Sequence, residues 1–336
     1  MKEKINMEIL AQKLSLSKAT VSKALHDSHE ISIETKKRVL SLAEKLGYTP
    51  NPYASSLRRK KSKTIAVVIP EVADNFFSLA LNGVQSVAEV KGYHVLICLS
   101  HEKFQYEKEI LHEFLSGRVD GVLLSISGET RSSAHIRELQ LNDIPVVFFD
   151  RAFEDPAMAA VITNDRECGF EAAKHLLDAG CRRLAFLSVS RSLPISQNRM
   201  LGFKDAIEKA GSSGMKVIHC TAKESENLAR IKELLTGKSR PDGIVASVEK
   251  MATMVYLAAH ESGVDIPQEL KVIAFSTLET APILNPSLTT ITQPAYEMGK
   301  AAATMLFNGI EKKNFNLHGR RVVLPSMLVE RASTRR

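Results

Sequence analysis

The chain has 336 residues, 44% hydrophobic and 25% charged, and it contains neither an apolar run of membrane-spanning length nor the apolar core of an N-terminal signal peptide. Its first 63 residues hold 14 Lys and Arg against 6 Asp and Glu, whereas the remainder is close to neutral, which indicates a polyanion-binding segment on a near-neutral body. The four cysteines lack metal-ligand spacing, so we expect a cytoplasmic protein of two or three compact units, with no metal, cofactor or membrane segment.

The first 48 residues have the apolar periodicity of three short helices. Ser17 and Ser32 are suited to cap the second and third helices, and the glycine and prolines of residues 47–52 end the third. Residues 53–61 are long enough for only one or two helical turns, which would not be stable alone.

The second helix has the composition of a DNA-reading helix. The small Ala11 allows two helices to approach closely, and Leu16 fills the turn between them. Thr20, Ser22 and Lys23 then supply short donors for phosphates and a longer side chain for base edges.

From Thr64 onward, compact apolar runs alternate with helical stretches, which predicts βαβ units and parallel sheets. About ten strands are too many for one small sheet, so we expect two lobes with a ligand between them, at the carboxyl ends of the strands. The predicted strands are 65–69, 95–99, 122–126, 146–149, 160–162, 184–187, 217–219, 244–246 and 272–275.

The spacing of residues 11–57 resembles that of the lactose/galactose-repressor (LacI/GalR) family, through LSKATVSKAL at 16–25, LGYTPN at 46–51 and SLR at 56–58. The resemblance implies base contacts from the second helix, phosphate contacts from hydroxyl side chains, and a hinge helix that inserts a leucine into the minor groove. The residues implied to bind DNA are Ser17, Lys18, Ala19, Thr20, Ser22, Lys23, Thr35, Asn51, Ala54 and Leu57.

Other interpretations of this region stay open. The three helices would also suit a structural cap, and Leu57 would also suit a packing contact with the body. The basic run 58–61 would also suit a solvated linker that adds only non-specific affinity.

The resemblance continues to about Glu330, where the body is similar to the family's periplasmic-binding-protein-like domain. A carboxylate after a buried strand accepts sugar hydroxyls, a guanidinium holds hydroxyls or an anion, and phenyl rings offer flat apolar faces. The residues implied to bind the ligand are Asn75, Phe76, Phe77, Asp150, Arg199 and Gln293.

Structural roles compete with these assignments. Arg199 would also serve as a partner of Asp165, and Asp150 as a partner of Arg151. Phe76 and Phe77 are also suited to an ordinary core.

Two segments of the second lobe depart from the family pattern. Ser276-Thr277 stands where the family has an acidic residue, and Val248-Glu249 stands where it has Asn-Asp. The departures weaken the assignment of a particular sugar and leave open a phosphorylated metabolite, a nucleobase or a protein partner.

We therefore expect an α/β protein with an all-α helix-turn-helix domain at 1–49, a hinge and linker at 50–63, and a two-lobed periplasmic-binding-protein-like domain at 64–331. The first lobe would comprise about 64–161 plus 294–325, and the second about 162–292. The predicted function is a homodimeric, nucleoid-associated repressor whose two heads read a pseudo-palindromic operator in double-stranded DNA, controlled by a small effector such as a sugar or sugar phosphate. A solute-binding sensor and an enzyme are the alternatives; the chain lacks GxGxxG, GxxxxGK[ST], GxSxG and HExxH motifs.

Overall fold

The computed structural model describes residues 5–48, 61–211, 214–221, 223–312 and 316–335. The chain divides into two compact units, Met1–Ser62 and Lys63–Arg336, which are called here the head and the body. Among the residues described, no helix has the apolar length that a bilayer crossing requires.

The head contains three helices, α1 (Met7–Leu14), α2 (Lys18–Leu25) and α3 (Ile33–Leu46). Ser17 and Ser32 cap α2 and α3 as predicted, because each hydroxyl accepts a hydrogen bond from the backbone N–H three residues later. The buried centre of the head consists of small and medium apolar side chains at helical spacing, namely Leu10, Ala11, Val21, Ala24, Val39 and Ala43.

The first sheet of the body is wholly parallel and has the strand order β11-β5-β4-β3-β1-β2. Most of its central strands are buried on both faces, which explains their continuous apolar sequences. Its strands are β1 (Thr64–Ile69), β2 (His94–Leu99), β3 (Val122–Leu124), β4 (Val146–Phe149), β5 (Ala160–Thr163) and β11 (Arg321–Leu324).

The second sheet has the order β12-β10-β9-β8-β6-β7 and is parallel except for its edge strand β12, which pairs antiparallel with β10. Its strands are β6 (Leu184–Ser188), β7 (Met215–His219), β8 (Gly243–Ala246), β9 (Lys271–Phe275), β10 (Thr289–Thr292) and β12 (Met327–Val329). The two sheets confirm the predicted α/β class with parallel sheets, and each defines one lobe.

Helices follow most strands and form separate apolar cores on the faces of the sheets. The described helices of the body are α4 (Asn75–Val90), α5 (Phe104–Phe114), α6 (Ala134–Leu141), α7 (Asp165–Asp178), α8 (Pro194–Lys209), α9 (Glu224–Thr236), α10 (Glu249–Ser262) and α11 (Ala295–Glu311), with short 3-10 turns at Ala281–Ile283 and Ala332–Thr334.

Two glycines allow α7 and α8 to pack backbone against backbone. A Cβ atom at Gly169 would lie 2.0 Å from the carbonyl oxygen of Arg199, and one at Gly202 would lie 1.8 Å from that of Arg166. This close approach brings the first turn of α7 beside the first turns of α8, where Asp165 and Arg199 meet.

The chain passes between the two sheets at three places. One lies between β5 and α7, one between β10 and α11, and one between β11 and β12. Because the parallel strands of both sheets end near these crossings, the loops after them form a cleft between the lobes.

Candidate functional site

The exposed face of α2 is the surface that the sequence assigns to DNA. Lys18, Ala19 and Lys23 are exposed, whereas Val21 and Ala24 are buried against the other helices. The three outward residues therefore share a face that no described part of the head covers.

The hydroxyl residues assigned to phosphates lie at the N-termini of two helices. Ser17 Oγ accepts a hydrogen bond from Thr20 N at 3.0 Å and lies 2.8 Å from Thr20 Oγ1. Ser32 and Thr35 repeat the arrangement at the start of α3, with distances of 3.2 and 2.9 Å. Helix N-termini attract anions, so both positions suit a phosphate.

The two lysines of this face have acidic partners within the head. Lys18 Nζ lies 2.7 Å from Glu8, and Lys23 contacts Glu30. Both pairs are about half exposed, and exposed pairs contribute only about 0–1 kcal/mol, so they are readily exchanged for phosphates or bases. The other predicted DNA contacts, Asn51, Ala54 and Leu57, lie outside the described residues.

The cleft of the body has an empty volume of about 440 Å³. Most of its walls come from residues that follow the carboxyl ends of β1, β4, β6, β8, β9 and β10. The side chains that line it are Asp74, Phe76, Phe77, Asp150, Arg151, Val189, Ile195, Ser196, Arg199, Val248, Glu249, Phe275, Ser276, Thr277 and Gln293.

Arg199 has both the structural contacts and the free donor that its two interpretations require. Its Nε donates to Asp165 Oδ1 at 2.7 Å, and its Nη1 donates to the carbonyl of Ser247 at 2.6 Å. The guanidinium lies 4.1 Å above the ring of Phe275. Its Nη2 is buried and has no hydrogen-bond partner within the described part of the chain, which leaves one N–H group for a ligand.

Asp150 is held at the junction between lobes. Its backbone has a φ of 60°, a left-handed conformation uncommon outside glycine, and its Oδ1 accepts a hydrogen bond from Gln293 Nε2 at 3.2 Å. Arg151 Nε is 3.9 Å from Asp150 Oδ2, but this guanidinium donates instead to Glu102 at 2.8 Å. Burial raises the pKa of Asp150, and the nearby Arg199 and Arg151 guanidiniums limit the rise.

Phe76 and Phe77 belong to the core of the first lobe and also to the wall of the cleft. They pack edge to face with ring centroids 5.3 Å apart, and Phe77 contacts Phe149 in the same way at 6.3 Å. Their rings are 5% or less exposed, so the cleft rests on a rigid aromatic layer.

Asn75 bridges the two lobes and is not part of the cleft wall. Its backbone N–H donates to Glu249 Oε1 at 2.9 Å, and its side-chain amide donates to the carbonyl of Thr277. Glu249 Oε2 in turn accepts from Thr277 N at 3.2 Å and from Ser276 Oγ at 3.3 Å. The two departures from the family pattern are therefore in contact with each other.

Asp74 and Glu249 are cleft residues that the sequence prediction did not include. Asp74 caps α4 through a hydrogen bond from Phe76 N at 2.9 Å. Burial raises its pKa to about 7, and the charges of Glu249 and Asp150 add to the rise. Their sequence signal is their position, since each stands at the start of a helix that follows a strand.

Two family models match the chain. Residues 10–51 match the bacterial regulatory proteins of the lacI family, and residues 173–334 match a periplasmic binding protein-like domain.

Relatives cover the chain almost completely. The ribose operon repressor of Halalkalibacterium halodurans is 30% identical over 97% of this chain and 96% of its own length. A LacI-family transcriptional regulator from Silicibacter pomeroyi has a solved structure with a TM-score of 0.83 and 25% identity, covering 99% of this chain and all of the other. A third similar structure is the periplasmic binding protein/LacI transcriptional regulator of Alkaliphilus metalliredigens, with 26% identity, a TM-score of 0.71, and coverage of 81% and 99%.

These relatives are transcriptional regulators, in agreement with the regulator predicted from the sequence and not with the enzyme alternative. With a capped helix-turn-helix head, two parallel-sheet lobes and full-length similarity to a repressor, the chain belongs to the lacI family of bacterial regulatory proteins.

Proposed function

We propose that the chain is a repressor that binds a pseudo-palindromic operator as a homodimer, and that a small polar effector between the lobes controls its operator affinity. The observation that carries the proposal is the cleft, where Arg199 keeps one buried N–H group without a partner among the described residues. The Alkaliphilus relative, whose structure was solved with D-xylulofuranose, supports a sugar or sugar phosphate as the effector class.

For the operator, we propose that α2 lies in the major groove. Lys18, Ala19 and Lys23 would face bases, while Ser17, Thr20, Ser22 and Thr35 would hold phosphates. The exposed face of α2 and the hydroxyls at two helix N-termini support this assignment. We propose further that Asn51, Ala54 and Leu57 form a hinge in the minor groove.

For the effector, we propose that Asp150 and Arg199 contact polar groups and that Phe76 and Phe77 support the ring from the first lobe. Gln293 would act through Asp150, to which it donates a hydrogen bond. Asn75 would act differently, because it joins the lobes and so stabilises the closed cleft.

The dimer is proposed from the edges of the body. β2 is the edge strand of the first sheet, and its Leu96 and Ile97 are 40% and 46% exposed. Val90, on the preceding helix, is 85% exposed. An edge strand with exposed apolar side chains is suited to cover by a second copy. Because the proposed function requires DNA, we place the protein in the cytoplasm, associated with the nucleoid.

The test is selection of bound fragments from a random duplex library by the purified full-length protein, read by sequencing. An enriched palindrome with two half-sites supports the proposal and supplies the operator. Binding that depends on salt but enriches no sequence contradicts it. In the same assay Leu57→Ala is expected to weaken the selected duplex more than a scrambled duplex at matched salt, and equal losses would remove Leu57 from the minor groove.

A further inference from the structure

The charges around the cleft are unevenly balanced. Three carboxylates line it, those of Asp74, Asp150 and Glu249, together with the guanidiniums of Arg151 and Arg199. Each guanidinium already has a carboxylate partner that does not line the cavity. Glu102 accepts from Arg151 at 2.8 and 3.0 Å, and Asp165 accepts from Arg199 at 2.7 Å.

The carboxylates of the cavity therefore act on one another without a dedicated cation. The pKa of Asp74 is raised to about 7, first by burial and next by the charge of Glu249. The pKa of Asp150 is raised as well, chiefly by burial. Both shifts mean that further negative charge in the cleft is unfavourable.

The hydrogen-bonding capacity has the same bias. Each carboxylate has about four acceptor positions, and the bonds in place use only some of them: one at Asp74, one at Asp150, and one or more on each oxygen of Glu249. On the donor side, Arg199 offers only its Nη2, whereas a phosphate or carboxylate is best held by a paired fork of N–H groups. The cleft therefore favours a ligand rich in donors.

We propose that Glu249, together with Asp74 and Asp150, restricts the effector to polyhydroxylated compounds that carry no phosphate or carboxylate group. This rests on the proposed effector control and separates sugars from sugar phosphates. It makes Glu249 a specificity-determining residue, because its side chain brings an acidic group to Ser276 and Thr277, where the chain lacks the family's acidic residue. Both uncharged polyols and amine-bearing polyols fit this chemistry.

The test uses purified full-length protein, and it measures thermal unfolding and operator affinity with matched sets of compounds. Each set contains a sugar, polyol or nucleoside in uncharged, amine-bearing, carboxylated and phosphorylated form. The uncharged or the amine-bearing member is expected to bind at least about 100-fold more tightly than the phosphorylated member. Whichever of the two binds more tightly identifies the source of the donors.

Two variants show whether the cleft carboxylates cause this discrimination. Asp74→Asn keeps an oxygen to cap α4 and removes the charge, and Glu249→Gln removes the second charge. Each is expected to reduce the discrimination against phosphate about tenfold. Asp178→Asn removes the same charge from an exposed pair with Lys174 on α7 and is expected to leave the discrimination unchanged.

A phosphorylated or carboxylated compound that binds better than its uncharged counterpart would overturn this inference and leave the proposed effector control intact. If no compound changes the melting temperature or the operator affinity, the proposed effector control itself fails, and the inference fails with it. Equal discrimination in Asp74→Asn, Glu249→Gln and Asp178→Asn would overturn the role of the cleft carboxylates alone.

Discussion

Replacing Arg199 by methionine separates its structural contacts from its contact with an effector. Methionine fills a similar length of the cavity without charge, while Asp165 stays in place with its carboxylate buried. Burial already raises the pKa of Asp165, and the Arg199 guanidinium opposes that rise. Without Arg199 the carboxylate must be protonated or left unpaired.

The size of the effect follows from the burial of the pair. The side chains of Arg199 and Asp165 are 3% and 8% exposed. Removing one partner of a buried ion pair costs about 3–5 kcal/mol. The hydrogen bond to Ser247 and the contact with Phe275 are lost as well, but these losses overlap with the first, so we expect a total in the same range.

Urea unfolding measured by far-ultraviolet circular dichroism, without ligand, is the assay, since the chain has no tryptophan for fluorescence. The double variant Arg199→Met/Asp165→Asn is expected to lose less stability than the sum of its single variants, with a coupling of about 2 kcal/mol or more. Arg166→Met is the control, because Arg166 and Asp205 form an exposed pair at 2.8 Å and its loss should cost about 0–1 kcal/mol.

An Arg199→Met protein as stable as the Arg166→Met control would refute this reasoning. It would mean that the contact between Arg199 and Asp165 does not hold α7 to α8. Arg199 would then act on a ligand alone.

Three further predictions concern Asp74, Gly202 and Ser17. The pKa of Asp74 is raised from 3.8 to about 7 in the folded chain, so its charge lowers stability increasingly between these values and fully above pH 7. Asp74→Asn should therefore stabilise the protein at pH 8 by at most about 4 kcal/mol and have little effect near pH 3.5, measured as unfolding midpoints across pH; a constant difference would contradict the assignment. Gly202→Ala should cost about 1–3 kcal/mol or more, because its Cβ would lie 1.8 Å from a backbone oxygen; an unchanged thermal midpoint would show that α7 and α8 are not held this closely. Ser17→Ala should destabilise α2 by about 1 kcal/mol, visible as faster amide exchange of Thr20, with slow exchange retained if the cap is unimportant.

Much of the fold follows from local sequence patterns. Capping serines at 17 and 32, helix-stopping glycines and compact apolar runs predict the head helices and the alternating body. Parallel strands put their carboxyl ends at one edge, so Asp150 and Gln293 could be assigned to the cleft before their contact was known.

The contacts across the cleft could not be predicted in this way. Asn75 and Thr277 are 202 positions apart, and nothing local in either segment indicates that they meet. Glu249 shows the same limit. The missing acidic residue after β9 suggested a less polar second lobe, but a carboxylate from the start of α10 reaches Ser276 and Thr277 instead. Packing of α10 against β9, not sequence proximity, makes this substitution effective.

The central claim is that effector binding in the cleft changes operator affinity. Its most direct test is thermodynamic: the operator Kd is measured with and without saturating effector, and the effector Kd with and without saturating operator. We predict that both change by the same factor, between about 5- and 150-fold, because the coupling between two sites is reciprocal. An effector that binds the cleft but leaves the operator Kd unchanged would contradict the account.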